Sequence, residues 1–418
     1  MQGADIAWVM VATAMVLVMT PALGFFYGGM VRSKNALNTI MMSVIAFGVS
    51  GAVWACLGYT LAFSGEGPWL GDLHAALLNG VGLEPHGAVP HVLFFSYQAT
   101  FAIITGALVS GAIVERMRFR AYMAFLALFT LVVYAPVAHW VWGGGWLQKL
   151  GALDFAGGTV VHIDAAAAAL VAAVVLGPRK DYAHQAMLPH NVPFTLLGTG
   201  LLWFGWFGFN AGSALAANGI AALAFANTLL APIATLCVWV LLDIWRSGRV
   251  TAIGVATAIV VGLVAITPAA GFVSPRAALA IGALSALPSY FALIIRPRTR
   301  LDDSLDVLAA HGLGGATGAI LTGVFAAKAY TGTTGGVLEG NWAQLGVQII
   351  GVLAAAVFSG VATFGLLKLI AVFGPLRDTT RNEGLGLDVT QHGEEAYTRG
   401  DGALLLLQEE AAARGGKS

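Results

Sequence analysis

Long runs of apolar residues, each close to the length of a membrane-spanning helix, follow one another along almost the whole chain. A helix needs about 20 predominantly apolar residues to cross the hydrocarbon core of a bilayer. Eleven segments meet or approach that length: Ile6–Val31, Asn38–Phe63, Val92–Val114, Ala121–Trp142, Gly157–Leu176, Phe194–Phe209, Ile220–Leu242, Ala252–Ala270, Ala277–Ile295, Val307–Ala327 and Leu345–Phe373. The sixth is the shortest and can extend backward through Pro193. The pattern predicts an all-α polytopic membrane protein with eleven transmembrane helices.

The connections between these segments differ strongly in positive charge. One alternate set carries twelve cations, namely Arg32, Lys34, Arg116, Arg118, Arg120, Arg179, Lys180, Arg246, Arg249, Arg296, Arg298 and Arg300, and the other carries Lys149, Arg276 and Lys328. Lysine and arginine accumulate on the cytoplasmic side of membrane proteins. The charges therefore predict a multi-pass protein of the cell (inner) membrane, with the N-terminus outside and the C-terminus in the cytoplasm. Residues 1–374 are expected to form the transmembrane domain and residues 375–418 a cytoplasmic tail.

Composition supports a bilayer as the surrounding medium. The 418 residues are 58% hydrophobic and only 10% charged, with a mean hydropathy of +0.80, whereas soluble domains carry about 25% charged residues. The formal net charge of zero suggests no nucleic-acid partner. Cys56 and Cys237 each lie in an apolar run without the spacing of metal ligands. The sequence also lacks the common catalytic motifs, so we expect no metal, no cofactor and no enzymatic activity.

Two histidines, His162 and His311, lie inside long apolar segments that contain almost no other proton-carrying group. A polar ring in hydrocarbon is costly unless it is paired or lines a cavity, so such residues are candidates for function. Two imidazoles in contact would form a polar but uncharged stripe that passes a small neutral molecule and disfavours hydrated ions. The structural alternative is that each histidine only bonds a neighbouring helix.

Several aromatic and acidic residues near helix ends are candidates for an outer binding site. Phe101, Trp142, Trp206 and Phe209 offer ring faces that attract cations, and Ser213 follows Phe209 by about one turn. The alternative for each ring is ordinary packing or the aromatic belt at the membrane interface. Asp154 precedes the fifth helix and is either a cap and polar anchor or an electrostatic attractor and proton acceptor.

The positions of the two histidines also suggest an internal repeat. His162 in the fifth helix and His311 in the tenth are each followed by small residues, which favours two inverted five-helix halves plus a long eleventh helix. Asp164 lies half a turn beyond His162 and should point to a different face. Three acids precede the tenth helix, where we expect them to cap it and to counter the cations of residues 296–300: Asp302, Asp303 and Asp306.

Five stretches of the chain resemble the Amt/Mep/Rh ammonium transporters, specifically the bacterial and archaeal Amt branch. The stretches are Phe26–Arg32, Gly143–Gly145, Ala152–Ile163, Trp206–Ser213 and Gly386–Tyr397. The resemblance covers nearly all of residues 5–397 in order. It implies an ammonium transporter that recruits ammonium (or its analogue methylammonium) at an outer vestibule, deprotonates it and conducts ammonia, with or without a separately moved proton.

The resemblance also implies roles for individual residues and an assembly. Trp142, Ser213 and Phe101 would bind the cation with help from Asp154, Phe101 and Phe209 would form the gate, and His162 and His311 the pore, which Trp206 and Thr267 would line. Gln98 would lie by the gate and Tyr27 near the cytoplasmic end of the first helix. The family further implies a homotrimer in the lipid bilayer and a trimeric PII-type signalling protein that docks on the cytoplasmic face.

The sequence departs from the family pattern in three places. Asp164 stands where a small or amide residue is expected, Gly106 where a proline is common, and residues Thr398–Ser418 extend past the usual end. The extension supports an alternative interpretation, in which the chain is an ammonium sensor or transceptor that signals through its C-terminal tail.

Overall fold

The computed structural model describes residues 1–397, so the predicted extension Thr398–Ser418 lies outside the described residues. Within the described part, ten helical segments are long and apolar enough to cross a membrane. They are Gly3–Met30, Ser33–Phe63, His91–Ala112, Phe119–Leu150, Gly158–Leu176, Val192–Gly212, Gly219–Ser247, Pro275–Arg298, Leu308–Phe325 and Trp342–Phe373. The shorter apolar helix Ala252–Ile266 is the eighth of eleven in chain order. The predicted eleven-helix architecture is confirmed.

The α-helices are numbered in chain order. They are α1 (Gly3–Met30), α2 (Ala36–Val53), α3 (Tyr59–Phe63), α4 (His91–Val109), α5 (Phe119–Phe129), α6 (Ala135–Trp142), α7 (Trp146–Leu150), α8 (Asp164–Leu176), α9 (Val192–Gly212), α10 (Gly219–Ser247), α11 (Ala252–Ile266), α12 (Pro275–Ile295), α13 (Gly314–Phe325), α14 (Lys328–Thr331), α15 (Trp342–Phe373) and α16 (Thr380–Leu385). One short hairpin pairs β1 (Pro85–His86) with β2 (Val89–Pro90) in antiparallel fashion.

Four of the spans contain a π-helical segment, in which the backbone is wound more widely than in an α-helix. These segments are Trp54–Gly58, Thr130–Tyr134, Gly158–Ile163 and Leu308–Leu313. Such segments are rare and occur frequently at functional sites. The last two contain His162 and His311, and each leads directly into the α-helical part of its span.

The spans pack closely because glycine lines several of their contacts. The first helices of the two predicted halves, α1 and α9, pack against each other. A Cβ atom on Gly198 of α9 would lie 2.4 Å from the backbone nitrogen of Phe26. A larger side chain would therefore separate the helices, as expected where small residues permit close approach in a membrane.

The odd number of spans places the N-terminus and the residues after the last span on opposite faces of the bundle. We call the face that carries the N-terminus the amino face, and the opposite face, which carries the residues after α15, the tail face. Helix α16 and the π-helical segment Asp388–His392 lie on the tail face, where Asp388 accepts hydrogen bonds from the first backbone N–H groups of α2. The division into domains at residue 374 stays a prediction, although α15 ends beside it at Phe373.

Most predicted boundaries agree with the structure within a few residues. The sixth span does extend through Pro193, and Asn191 caps it by accepting a 3.0 Å hydrogen bond from the Phe194 N–H. The eighth span was predicted too long, because α11 ends at Ile266 and residues 267–270 form turns. Pro268 cannot donate a backbone hydrogen bond and so does not continue the helix.

Candidate transport pathway

A cavity of about 180 Å³ opens between span ends at the amino face. Its lining residues are Phe63, Phe94, Tyr97, Gln98, Phe101, Trp142, Gln148, Phe155, Ser213 and Leu215. Four of these were predicted from the sequence: Phe101, Trp142 and Ser213 for the cation site and Gln98 beside the gate. The structure brings these four together around one space.

The polar atoms of this cavity are few and fixed. The Ser213 hydroxyl donates to the Phe209 carbonyl at 2.9 Å and lies 3.2 Å from Tyr97 Oη. Tyr97 in turn contacts the carbonyls of Gly208 and Phe209 at 2.9 Å. Oε1 of Gln98 is buried without a hydrogen-bond partner among the described residues. The cavity therefore offers an aromatic wall with one uncommitted acceptor beside it.

Asp154 stabilises the structure around the cavity but does not line it. Its two carboxylate oxygens accept hydrogen bonds of 2.7–3.1 Å from the backbone N–H groups of residues 157–160, where the fifth span begins. Such N–H groups at a helix start have no partner within the helix. Burial raises the pKa of the Asp154 carboxyl, and the four N–H donors oppose that shift. These are the contacts of a cap, one of the two roles considered from the sequence.

Two phenylalanine rings separate the cavity from the interior of the bundle. The rings of Phe101 and Phe209 are stacked, with centroids 4.2 Å apart and planes inclined by 27°. The Trp142 ring meets Phe101 edge-on at a centroid distance of 6.0 Å. Both phenylalanines are about 1% exposed, so passage between the cavity and the interior requires these rings to move.

The two histidines meet directly below this ring pair. Nδ1 of His311 lies 3.2 Å from Nδ1 of His162, and both side chains are buried. The His162 ring stacks on Trp206 at 5.4 Å and lies 6.0 Å from Phe209. Nε2 of His162 has no partner among the described residues. An Nδ1–Nδ1 contact requires one ring to donate and the other to accept, so the pair shares one proton between the two rings.

A narrow second cavity of about 10 Å³ adjoins the pair. His162, His311, Trp206 and Phe209 line it together with apolar residues of α1, α4 and α11. This volume is close to what one water-sized molecule requires. The interior beside the histidine pair therefore has room for about one such molecule, between otherwise apolar walls.

Two further predicted residues, Thr267 and Tyr27, lie outside the two cavities. Trp206 Nε1 donates to Thr267 Oγ1 at 2.9 Å, which fixes the indole that stacks on His162. Tyr27 donates to the Leu108 carbonyl at 3.2 Å and is buried toward the tail face. Neither Thr267 nor Tyr27 lines the two cavities described above.

Comparison with known proteins identifies the family. The sequence model described as Ammonium Transporter Family matches residues 7–397. The chain belongs to the ammonium transporter family. The "Ammonium transporter" of Bacillus subtilis is 45% identical over 402 residues, which cover 95% of this chain and 99% of that protein. "Ammonium transporter Amt1" of Archaeoglobus fulgidus is 42% identical, covering 95% and 100%.

Solved structures of the family share the fold of this chain. The crystal structure of Saccharomyces cerevisiae Mep2 superposes with a TM-score of 0.83 at 37% identity, covering 88% of this chain and 85% of that one. A structure titled "Sensor Amt Protein" superposes with a TM-score of 0.87 at 32% identity, covering 93% and 98%. The two sequence relatives quoted above are named as transporters and not as enzymes, which agrees with the lack of common catalytic motifs in the sequence.

The tail face of this chain holds a buried ionic cluster that the sequence did not reveal. Arg179 contacts Glu115 and Asp302 at 2.8 Å each, and Arg32 contacts Glu115 at 3.1 Å. Burial opposes ionisation of Glu115 and Asp302, but the neighbouring arginines hold the pKa of each carboxyl below its ordinary value. The cluster ties together the connections that follow the first, third, fifth and ninth spans.

Tyr97 is one of the cavity residues that sequence reasoning missed, and it is the one that bonds to Ser213. It lies one helical turn before Phe101 on α4, so the same face that carries the gate ring carries the tyrosine. That spacing was the available signal, but a tyrosine in an apolar helix is common and does not by itself indicate a site.

Proposed function

We propose that this protein recruits ammonium at the amino-face cavity, removes its proton and conducts ammonia past the histidine pair, with or without a separately moved proton. The observation that carries the proposal is the His162–His311 contact of 3.2 Å directly beneath the stacked phenylalanines. Family membership supplies the substrate class, and the geometry supplies a path that such a small molecule fits.

Recruitment is assigned to the aromatic wall and its polar neighbours. The faces of Trp142 and Phe101 attract a cation, more strongly where water is partly excluded. The hydroxyl of Ser213 and the unpartnered Oε1 of Gln98 supply acceptors for N–H groups. Asp154 contributes indirectly, because its main-chain oxygen accepts a hydrogen bond from the Trp142 indole.

Passage through the interior favours the neutral molecule. A cation that leaves water for this apolar lumen loses its hydration at a cost of many kcal/mol, while neutral ammonia loses far less. The free Nε2 of His162 offers ammonia a hydrogen-bond partner inside the lumen. A deprotonation step ahead of the histidines therefore reduces the barrier to passage.

We further propose that the tail face lies in the cytoplasm at the inner membrane, which the twelve cations of the connections on that face support. The homotrimer and the PII-type partner rest on the family resemblance. The segment Gly386–Tyr397 is held against the tail face, with Tyr397 Oη 3.1 Å from His190 Nε2. A docking protein would meet this segment in a fixed conformation.

The test is ammonium transport by purified protein in liposomes that enclose a pH-sensitive dye. Ammonium and methylammonium pulses are applied on a solid-supported membrane, with wild type beside the His162→Ala/His311→Ala double variant. The matched control is His74→Ala, which changes an exposed histidine that lines neither cavity. We expect a substrate response in wild type and control that the double variant loses or alters, and a response unchanged in the double variant would contradict the assigned path.

Current and dye together identify the transported species. A substrate-dependent current indicates net charge movement, and an internal alkalinisation without current indicates net ammonia. The absence of both signals would overturn transport and favour the sensor alternative. That alternative depends on residues 398–418, which lie outside the described residues, and no contact in the described part supports it over transport.

A further inference from the structure

The pathway leaves one membrane-buried acid unused. Asp164 is the first residue of α8, and its side chain is fully buried. Its Oδ1 accepts a hydrogen bond from the hydroxyl of Ser359 on α15. Its Oδ2 has no hydrogen-bond partner, and no ion pair to Asp164 occurs among residues 1–397.

These contacts fit a neutral carboxylic acid and not a carboxylate. An ionised carboxylate in an apolar interior needs a cation or several donors, and a single hydroxyl does not offset the loss of water. A neutral acid keeps its hydrogen bond with Ser359 at much lower cost. Tyr134 also has a buried hydroxyl without a partner among the described residues.

The surroundings provide no compensating charge nearby. The elements packed against α8 include α4, α15 and the two π-helical segments that carry the pore histidines. Their titratable side chains are His91 and Tyr97 on α4, Lys368 on α15, His162 and His311. Lys368 lies nine residues beyond Ser359, more than two helical turns away along α15. At neutral pH the side chains of His91 and Tyr97 are uncharged, and His162 and His311 share a proton with each other.

We propose that Asp164 is held as a neutral carboxylic acid that ties α8 to α15 through Ser359 and so serves as a positioning residue for His162. The π-helical segment with His162 runs without a break into α8, and Asp164 lies two residues after the histidine. Two residues along a helix point to different faces. The hydrogen bond with Ser359 therefore holds α8 from the side away from His311. This inference rests on the proposed function only in the experiment that measures transport.

The protonation state is tested by infrared difference spectroscopy on wild type and Asp164→Asn in lipid. We expect the wild type to show the carbonyl band of a protonated carboxylic acid at neutral pH, and the variant to lack that band. Asp303→Asn changes another buried acid, serves as the control and should leave the Asp164 band in place. A difference spectrum that shows only carboxylate bands at neutral pH would overturn the proposal.

The tie itself is tested by a double-mutant cycle in thermal unfolding. Asp164→Ala and Ser359→Ala should each lower the midpoint temperature of unfolding. The double variant should lower it by less than the sum of the two single effects, because both substitutions remove the same hydrogen bond. Thr363→Val is the matched control, since Thr363 lies one turn along α15 with a buried hydroxyl that lacks a partner. Strict additivity of the two variants would overturn the tie.

The positioning of His162 is tested by measuring ammonium flux through variants of Asp164 and Ser359. Ser359→Ala and Asp164→Ala should each reduce flux about fivefold, as expected for the loss of one hydrogen bond of ~1 kcal/mol. Asp164→Asn, which keeps the shape and a hydrogen bond, should stay within about twofold of wild type. Wild-type flux in Ser359→Ala would overturn the positioning role. A wild type without flux would overturn the proposed function, while the infrared and unfolding results would still decide the state of Asp164.

Discussion

The indole Nε1 of Trp142 donates a hydrogen bond of 2.8 Å to the main-chain oxygen of Asp154. The carboxylate of the same aspartate accepts hydrogen bonds from the backbone N–H groups of residues 157–160, where the fifth span begins. One residue therefore connects the wall of the amino-face cavity to the helix that carries His162. A change at Asp154 is transmitted to both parts although its side chain lines neither cavity.

Replacing Asp154 is expected to lower the stability of the fold more directly than it lowers the binding of ammonium. Asp154→Ala leaves four buried N–H groups without an acceptor, and each lost bond to a charged group is worth ~1.5–3 kcal/mol. Asp154→Asn keeps one acceptor oxygen and should lie between wild type and alanine. Thermal unfolding in detergent, followed by the fluorescence of the 11 tryptophans, measures the stability of each variant. Equal midpoints for wild type and Asp154→Ala would contradict the capping role.

The length of the apolar runs was enough to predict the spans, because a bilayer requires about 20 apolar residues per helix. The π-helical segments were not predictable, since no residue pattern distinguishes Gly158–Ile163 from an ordinary helical turn. The end of α11 at Ile266 has a physical reason in Pro268, but the apolar residues after it concealed the stop. Sequence patterns locate helices better than they locate their irregularities.

The candidate site was predicted residue by residue, but its geometry was not. The intramembrane rule selected His162 and His311, whereas their Nδ1–Nδ1 contact follows only from the packing of the fifth and tenth spans. Asp302 was expected to counter the cations of residues 296–300, and the structure instead pairs it with Arg179. The carboxylate and guanidinium are 123 residues apart, so no local pattern could have matched them.

The ionic cluster on the tail face predicts an acid-labile fold. Neighbouring arginines lower the pKa of Glu115 below its ordinary 4.5, so the folded state binds a proton less readily than the unfolded chain. A lowered pKa contributes stability that is complete above the unfolded value and is lost as the pH falls from there through the folded value. Thermal midpoints should therefore fall steeply below about pH 4.5.

The matched variant for that prediction is Glu115→Gln. It removes one carboxylate from Arg179, which keeps Asp302, and one from Arg32, which keeps Asp181. The loss should cost up to about 3–5 kcal/mol at neutral pH. Its midpoint should also depend less on pH in the acid range, because one of the titrating groups is gone. A wild-type midpoint that stays constant down to pH 3 would contradict the account.

Close helix packing predicts a sharp contrast between two buried glycines. A Cβ atom on Gly318 of α13 would lie 2.1 Å from the main-chain oxygen of Ala265, whereas one on Gly351 of α15 meets nothing within 4 Å. Gly318→Ala should force the helices apart and cost about 1–3 kcal/mol. Gly351→Ala should be neutral or slightly stabilising, since alanine favours a helix over glycine. Thermal unfolding of both variants tests this contrast. Equal unfolding midpoints would contradict the close contact between Gly318 and Ala265.

The attachment of the tail depends on Asp388. Its carboxylate accepts hydrogen bonds from the backbone N–H groups of Leu37 at 3.0 Å and Asn38 at 2.7 Å, at the start of α2. Asp388→Ala removes both acceptors, and a loss of about 1.4 kcal/mol should raise the population of detached tail about tenfold. Trypsin cleavage between residues 377 and 397 measures that population, provided that cleavage is slow relative to reattachment. Glu394→Ala changes an exposed acid in the same segment and should cleave at the wild-type rate. If both variants cleave equally fast, Asp388 does not hold the tail, because the loss of charge alone would then account for the change.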